Sequence, residues 1–297
     1  MRKEKRRNYT FDFYCLSCDF DDLFSLNVPH ALKLIEEKKV ATSYTYYGCV
    51  RELFDLKYRE DSKSFSGQIR KIRKADLPEV GVPGMDSRNI KLEEDEGVIE
   101  RNYFVYYVEN SLLILHRNED GNSANHLAQL LTAAHGVSFF ADPLIKADQA
   151  AMLLNDKLDI KKFSVKIPRP TNPDIYPQDS ISGKTIELLN HSGADSLDIT
   201  FTVDKKLDDS KGKLSGALQS AIRDLLSMGA TKAKLDTDEN GKIHPIDLIA
   251  DRIYSTQSTY SNAHFPVNDV MYSLAEAARA DQRKSLDDYF GKTKRLR

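Results

Sequence analysis

Apolar and polar positions change period several times along this chain, and each change predicts an element. Residues 9–18, YTFDFYCLSC, form an apolar run that predicts a strand. In VPHALKLIEEKK, Ala31, Leu32, Leu34 and Ile35 mark a short helix beginning at Pro29. From 42 to 73 the pattern is strand-rich, with Leu53, Leu56 and Tyr58 mixed among charges as on a half-exposed sheet. The segment ADLPEVGVPGMDSRN is broken by Pro78, Gly81, Pro83 and Gly84 and reads as a loop. The clearest local signal is YFVYYVENSLLILHR. Two apolar runs flank Glu109-Asn110, which predicts a β-hairpin, and their continuous apolarity predicts cover on both faces. In NSANHLAQLLTAAHG, Ala124, Leu127, Leu130, Leu131 and Ala134 share one helical stripe. Asn122 or Ser123 caps its start and Gly136 its end. VSFFADP predicts a strand and DPLIKADQAAMLLN a second helix.

The texture then changes at FSVKIPRPTNPDIYP, a proline-rich stretch that follows a strand and is stiff and extended. The expected boundary lies just ahead of that strand, giving segments 1–156 and 157–297. Beyond it the pattern predicts strands at 162–167, 197–203, 231–236 and 242–249. Helices are expected at 180–191, at KLSGALQSAIRDLLSMG, and from Asn268 into the 280s. The expected class is α+β: two domains of mixed or antiparallel sheet with helices packed on one side.

Composition changes this picture little. The chain has 297 residues, 40% hydrophobic and 30% charged, with a net charge of −2 and no tryptophan. Its apolar runs fall far short of the roughly 20 residues that span a bilayer, and no signal-peptide core follows the basic start, so a cytoplasmic location is expected. Cys15, Cys18 and Cys49 fit a reducing compartment. CLSC has zinc-knuckle spacing. On a strand, however, residues three apart face opposite ways, and a second CxxC or CxxH is missing, so buried thiols are the reading.

Other candidate chemistry reduces to local structure. In LDTDENGKIHPIDL, Asp236, Asp238, Asn240, Gly241 and Asp247 imitate a calcium loop. The preceding alternation and the Asn-Gly pair predict a hairpin turn instead. Gly183-Lys184-Thr185 copies the tail of a phosphate-binding loop, but Gln178 stands where its first glycine belongs. Glu37 and Lys39, with Asp21 and Asp22 upstream, are the nearest approach to a metal-dependent nuclease cluster, although the glutamate lies on an amphipathic helix. Seven histidines are scattered without ligand spacing. No catalytic residue, metal site or cofactor is expected.

Charge is unevenly placed. MRKEKRR opens the chain, KTKRLR closes it, and RKIRK supplies Arg70, Lys71, Arg73 and Lys74. Such clusters hold phosphate even in a chain near neutrality; the plainer reading is a solvated edge. In QRKSLDDYFGKTKRLR, Leu286, Tyr289 and Phe290 have the spacing of a sliding-clamp docking peptide, with Arg283 where its leading glutamine belongs. The alternative is a terminal helix packing the three onto its own core.

From residue 97 onward the landmarks FVYYVENSLLILHR, GNSANHLAQLL, KKFSVKIPRPTNPDI, GADSLDITFTVDKKLDDSKGKL and AKLDTDENGKIHPI resemble, in order, those of the RexA-like phage-exclusion family. The resemblance covers about two-thirds of the chain and carries no diagnostic motif. It implies a two-domain, dimeric, non-enzymatic protein that binds double-stranded DNA with little sequence preference. It places a basic segment at Lys205, Lys206, Lys211 and Lys213, interspersed here with four acids. The expected partners are therefore DNA phosphates, a second copy and a protein reached through the C-terminal tail. A phage protein that counters host defence is an alternative role.

Overall fold

The computed structural model describes residues 4–18, 26–46, 49–75, 77–146, 159–168, 181–203, 230, 232–239 and 242–296. Five helices and antiparallel sheets among them make the protein mixed α+β. The chain divides into two compact units, residues 1–143 with 254–283, and residues 144–253 with 284–297. The sequence places the division at 156/157, whereas the chain crosses at 143/144 and returns at 253/254.

The first unit is built on an eight-stranded sheet. Its strands are β1 (Lys5–Cys18), β2 (Ser43–Tyr46), β3 (Cys49–Arg59), β4 (Ser64–Arg73), β7 (Val98–Tyr107), β8 (Leu112–His116), β9 (Phe139–Pro143) and β14 (Tyr254–Ser261). The order is β14-β1-β8-β7-β4-β3-β2, with β9 also paired to β1. Two short strands, β5 (Glu79–Val80) and β6 (Arg88–Asn89), pair within the loop. The β7–β8 hairpin forms as its apolarity predicts, with Tyr103–Tyr107 and all of β8 buried.

One sheet face carries α1 (Val28–Glu36) and α2 (Ala124–His135). Leu32 and Ile35 of the first, and Leu127 and Leu131 of the second, join Leu16, Leu53, Ile69, Phe104 and Leu113 in one core. Each helix is fixed at its ends. The Asn27 side chain accepts the His30 N–H, Ser123 caps α2, and Gly136 ends it at φ 72°. Gly67 is needed on β4, because a Cβ there would press against the Phe104 ring and Leu56. A later helix, labelled α4 below (Asn268–Asp281), lies over the opposite face. There Asn268 accepts from Tyr103 Oη, and the Arg279 guanidinium sits 3.9 Å from the Tyr107 ring centroid.

The second unit has a four-stranded sheet ordered β11-β10-β12-β13: β10 (Asp159–Pro168), β11 (Ser196–Thr202), β12 (Lys232–Glu239) and β13 (Lys242–Asp247). Between β10 and β11 runs α3 (Ile181–Ser192), and α5 (Arg283–Leu296) follows α4 at the end of the chain. Phe163, Val165, Ile167, Ala233, Leu235 and Ile246 form its core. The expected helices at 142–155 and 213–229 lie mostly or wholly outside the described residues. Asp142 and Pro143 belong to β9, and Ile145 bridges to Arg252. Among the described residues no helix is long and apolar enough to cross a membrane.

Candidate nucleic-acid interface

Strand β8 stops short. It pairs with β1 only over residues 11–15 and with β7 only over 104–107, while both neighbours run past it. Residues 5–10 of β1 keep β14 on their other side, and residues 98–103 of β7 keep β4. A slot about two strand spacings across, roughly 10 Å, is thus left inside the sheet. Asn118, Gly121 and Asn122 close its back. Arg117 donates its backbone N–H to Thr10 O at 2.8 Å, and Asn118 donates to Arg101 O at 3.2 Å. Asn102, fully buried, donates to His116 O at 3.0 Å and accepts the Asn122 N–H. From β3, buried Arg51 donates to Asn122 Oδ1 at 3.1 Å.

The front of the slot is lined by charge and aromatic rings. A cavity of about 360 Å³ is bounded by Arg7, Tyr9, His116, Arg117, His264 and Phe265, among others. A second, of about 680 Å³, shares Phe265 and adds Arg101 and Tyr103. The His116 ring sits among Tyr9, Phe11, Tyr103 and Phe265 at centroid distances of 5.7 to 6.2 Å. Burial, helped by nearby His264, lowers its pKa to about 4, so the ring is neutral at pH 7. Its Nδ1 is buried without a partner. Arg7 and Arg101 also bury Nε without an acceptor, and neither forms an ion pair among the described residues. The Arg101 guanidinium lies 6.0 Å from the Phe265 ring centroid. Arg117, in contrast, is committed to Asp12. Glu4, Glu119 and Asp120 complete the rim.

The residues singled out in the sequence are distributed differently. Alternation on β4 sends Arg70 to one face and Lys71 and Arg73 to the other. Arg70 stacks on Phe54 with its guanidinium carbon 3.1 Å from the ring centroid. It also pairs with Glu52 at 3.5 Å, and burial lowers its pKa. It is the cross-strand neighbour of Arg101. Lys71 donates to Asp120 O at 3.2 Å and so braces the slot's back, and Lys74 donates to Glu94 O at 3.3 Å. The four cations therefore do not form one patch. Lys205, Lys206, Lys211 and Lys213 lie outside the described residues. Leu286 is buried, Tyr289 packs against the second unit's core, and Phe290 meets Tyr289 at 5.2 Å between centroids.

The remaining motifs are structural. Asp236 and Asp238 sit on β12, which pairs with β13 as a hairpin, though Asn240 and Gly241 themselves are outside the described residues. Gly183-Lys184-Thr185 falls within the first turns of α3. Glu37 pairs with Lys39 at 2.6 Å on the surface. Among the described residues no three His, Cys, Asp or Glu side chains converge as a metal site. Sequence reasoning missed Arg101 and His116 as site residues, whereas Arg7 falls in the basic start MRKEKRR that it singled out. That start continues as β1, and Arg101 stands alone in its run.

The class the fold defines is a mixed α+β protein whose larger antiparallel sheet is interrupted by a slot lined with arginines and aromatic rings. The chain belongs to the family described as "Family of unknown function (DUF6731)", whose model matches residues 5–284. No curated protein matches it.

Proposed function

We propose that this is a non-enzymatic DNA-binding protein of phage–host conflict that holds backbone phosphates with Arg7 and Arg101. The observation that carries the reading is that Arg7 lines one cavity with Tyr9 and Phe265, and Arg101 a second with Tyr103 and Phe265. A phosphate offers paired oxygens that a guanidinium fork matches. The rings alongside give a sugar or an unpaired base an apolar wall. The phage-exclusion setting comes from the resemblance of the landmarks after residue 97, and contact without sequence preference comes from a site made of phosphate-type donors.

Anisotropy of labelled duplex and single-stranded oligonucleotides across a salt series tests this. Binding weakens steeply with salt, and the log–log slope falls by about one for each phosphate that the protein no longer neutralises. Arg7→Ala and Arg101→Ala each reduce that slope, while Lys91→Ala, on an exposed loop, leaves it unchanged. No binding of either strand form at low salt, or arginine variants that bind like the wild type, refutes the reading.

A further inference from the structure

Strand β14 is the outermost strand at one end of the eight-stranded sheet. Among the described residues its backbone hydrogen bonds go only to β1. Long free edges invite pairing with another chain, and proteins blunt them with charged side chains such as lysine, with proline or with a bulge. The segment YSTQSTYS, Tyr254 to Ser261, has none of these residues, carries no charge, and holds an unbroken register with β1. Its outward face is open, with Tyr254 52% and Tyr260 66% exposed.

The order of side chains identifies the occupant. Read from either end about Gln257, the strand presents the same chemistry: Tyr254 mirrors Tyr260, Ser255 mirrors Thr259, and Thr256 mirrors Ser258. A twofold interface is isologous, so residue i must suit residue j and j must suit i. We propose that two copies of the chain join antiparallel along β14, with the axis at Gln257. Each Tyr254 then faces the tyrosine at 260 of the other copy, and Thr256 faces the serine at 258, as hydroxyl and aromatic cross-strand pairs. Val267, 72% exposed, and the half-buried Val270 line the same cavity as Thr259–Ser261 and add apolar surface beside the edge.

This inference does not depend on nucleic-acid binding. Its test is sedimentation equilibrium of the intact chain and two double variants. Thr256 and Ser258 are both exposed, so substitution there leaves the core untouched. Thr256→Lys with Ser258→Lys sets like charges opposite each other twice across the axis. Thr256→Glu with Ser258→Lys sets opposite charges there and is otherwise comparable. The wild type is expected to be a dimer. The double-lysine variant should dissociate roughly ten- to hundredfold more readily than the Glu/Lys variant, which recovers dimerisation. A monomeric wild type overturns the proposal, as does a double-lysine variant that dimerises like the wild type. Failure of the Glu/Lys variant to recover overturns it as well.

Discussion

Asn102 holds the slot together, and its removal has a calculable cost. The side chain is fully buried on β7. Its amide N–H₂ donates to His116 O, and its oxygen accepts from Asn122 N–H on a residue only 4% exposed. Asn102→Leu keeps much of the volume and deletes both bonds, so the Asn122 N–H loses its acceptor where water does not reach. With about 1–3 kcal/mol for each of the two abandoned buried groups, the loss is about 2–6 kcal/mol, a large share of the roughly 5–15 kcal/mol that holds a folded domain. Gly121→Ala attacks the same link from the other side, because its new Cβ would press on Asn102 Oδ1. The two changes should be clearly non-additive, since the second finds the link already broken.

Native-state hydrogen exchange reads the effect without assuming that both units unfold together. In Asn102→Leu the amides of 117–122 and of the ends of β1 and β7 should lose protection, while those of β10–β13 keep theirs. A urea midpoint change worth less than about 0.5 kcal/mol, with unchanged exchange at Asn122, would show that the loop is held by something else.

Other consequences are checked more briefly. His116 is kept neutral in the folded state with a pKa near 4, whereas the unfolded ring titrates near 6.5. The unfolded chain therefore binds the extra proton between those values. The contribution is complete above pH 6.5 and lost as pH falls toward 4, about 3 kcal/mol in all. His116→Phe should flatten urea stability against pH across that window, and an unchanged slope contradicts the assignment. Leu286→Ala should lower the melting temperature through about 2–5 kcal/mol of lost packing, since Leu286 is 5% exposed. An unaltered melt would instead leave the docking-peptide reading open. Gly67→Ala forces the Phe104 ring aside and should cost about 1–3 kcal/mol, measured by urea denaturation.

Much of the scaffold is legible in the sequence because its apolar pattern is strong. The β7–β8 hairpin, α2 with its serine and glycine caps, and the β12–β13 hairpin follow from local spacing. Strand β14 is not legible. YSTQSTYS has no apolar alternation, since its inward side chains are Ser255, Gln257, Thr259 and Ser261, and Ser255 is satisfied by Asp281 rather than by a hydrophobic core. Without that strand the return of the chain is not legible either, since β14 and α4 carry residues 254–283 back into the first unit. The cations fail for a different reason. RKIRK reads as a cluster, but on a strand a period of two divides neighbours between faces. The arginines that line the two cavities are instead separated by 94 positions, 7 and 101, and come to neighbouring cavities only because the strands between them pair as they do.

One mismatch of length explains the slot. β1 has 14 residues and β7 has 10, while the strand between them has five. Had β8 run on past His116, its backbone would have taken up the hydrogen bonds of residues 5–10 and 98–103, and Arg7 and Arg101 would sit on a continuous sheet face. Ending it at His116 opens the interval. The chain then needs substitutes for the missing ladder, and Arg117 N–H, Asn118 and Asn102 supply them from one side only. The opposite side is left to the cavities that Arg7 and Arg101 line. A side-chain plug where a strand would have fitted is a costly way to build a sheet, because each ladder bond it replaces needs its own buried partner.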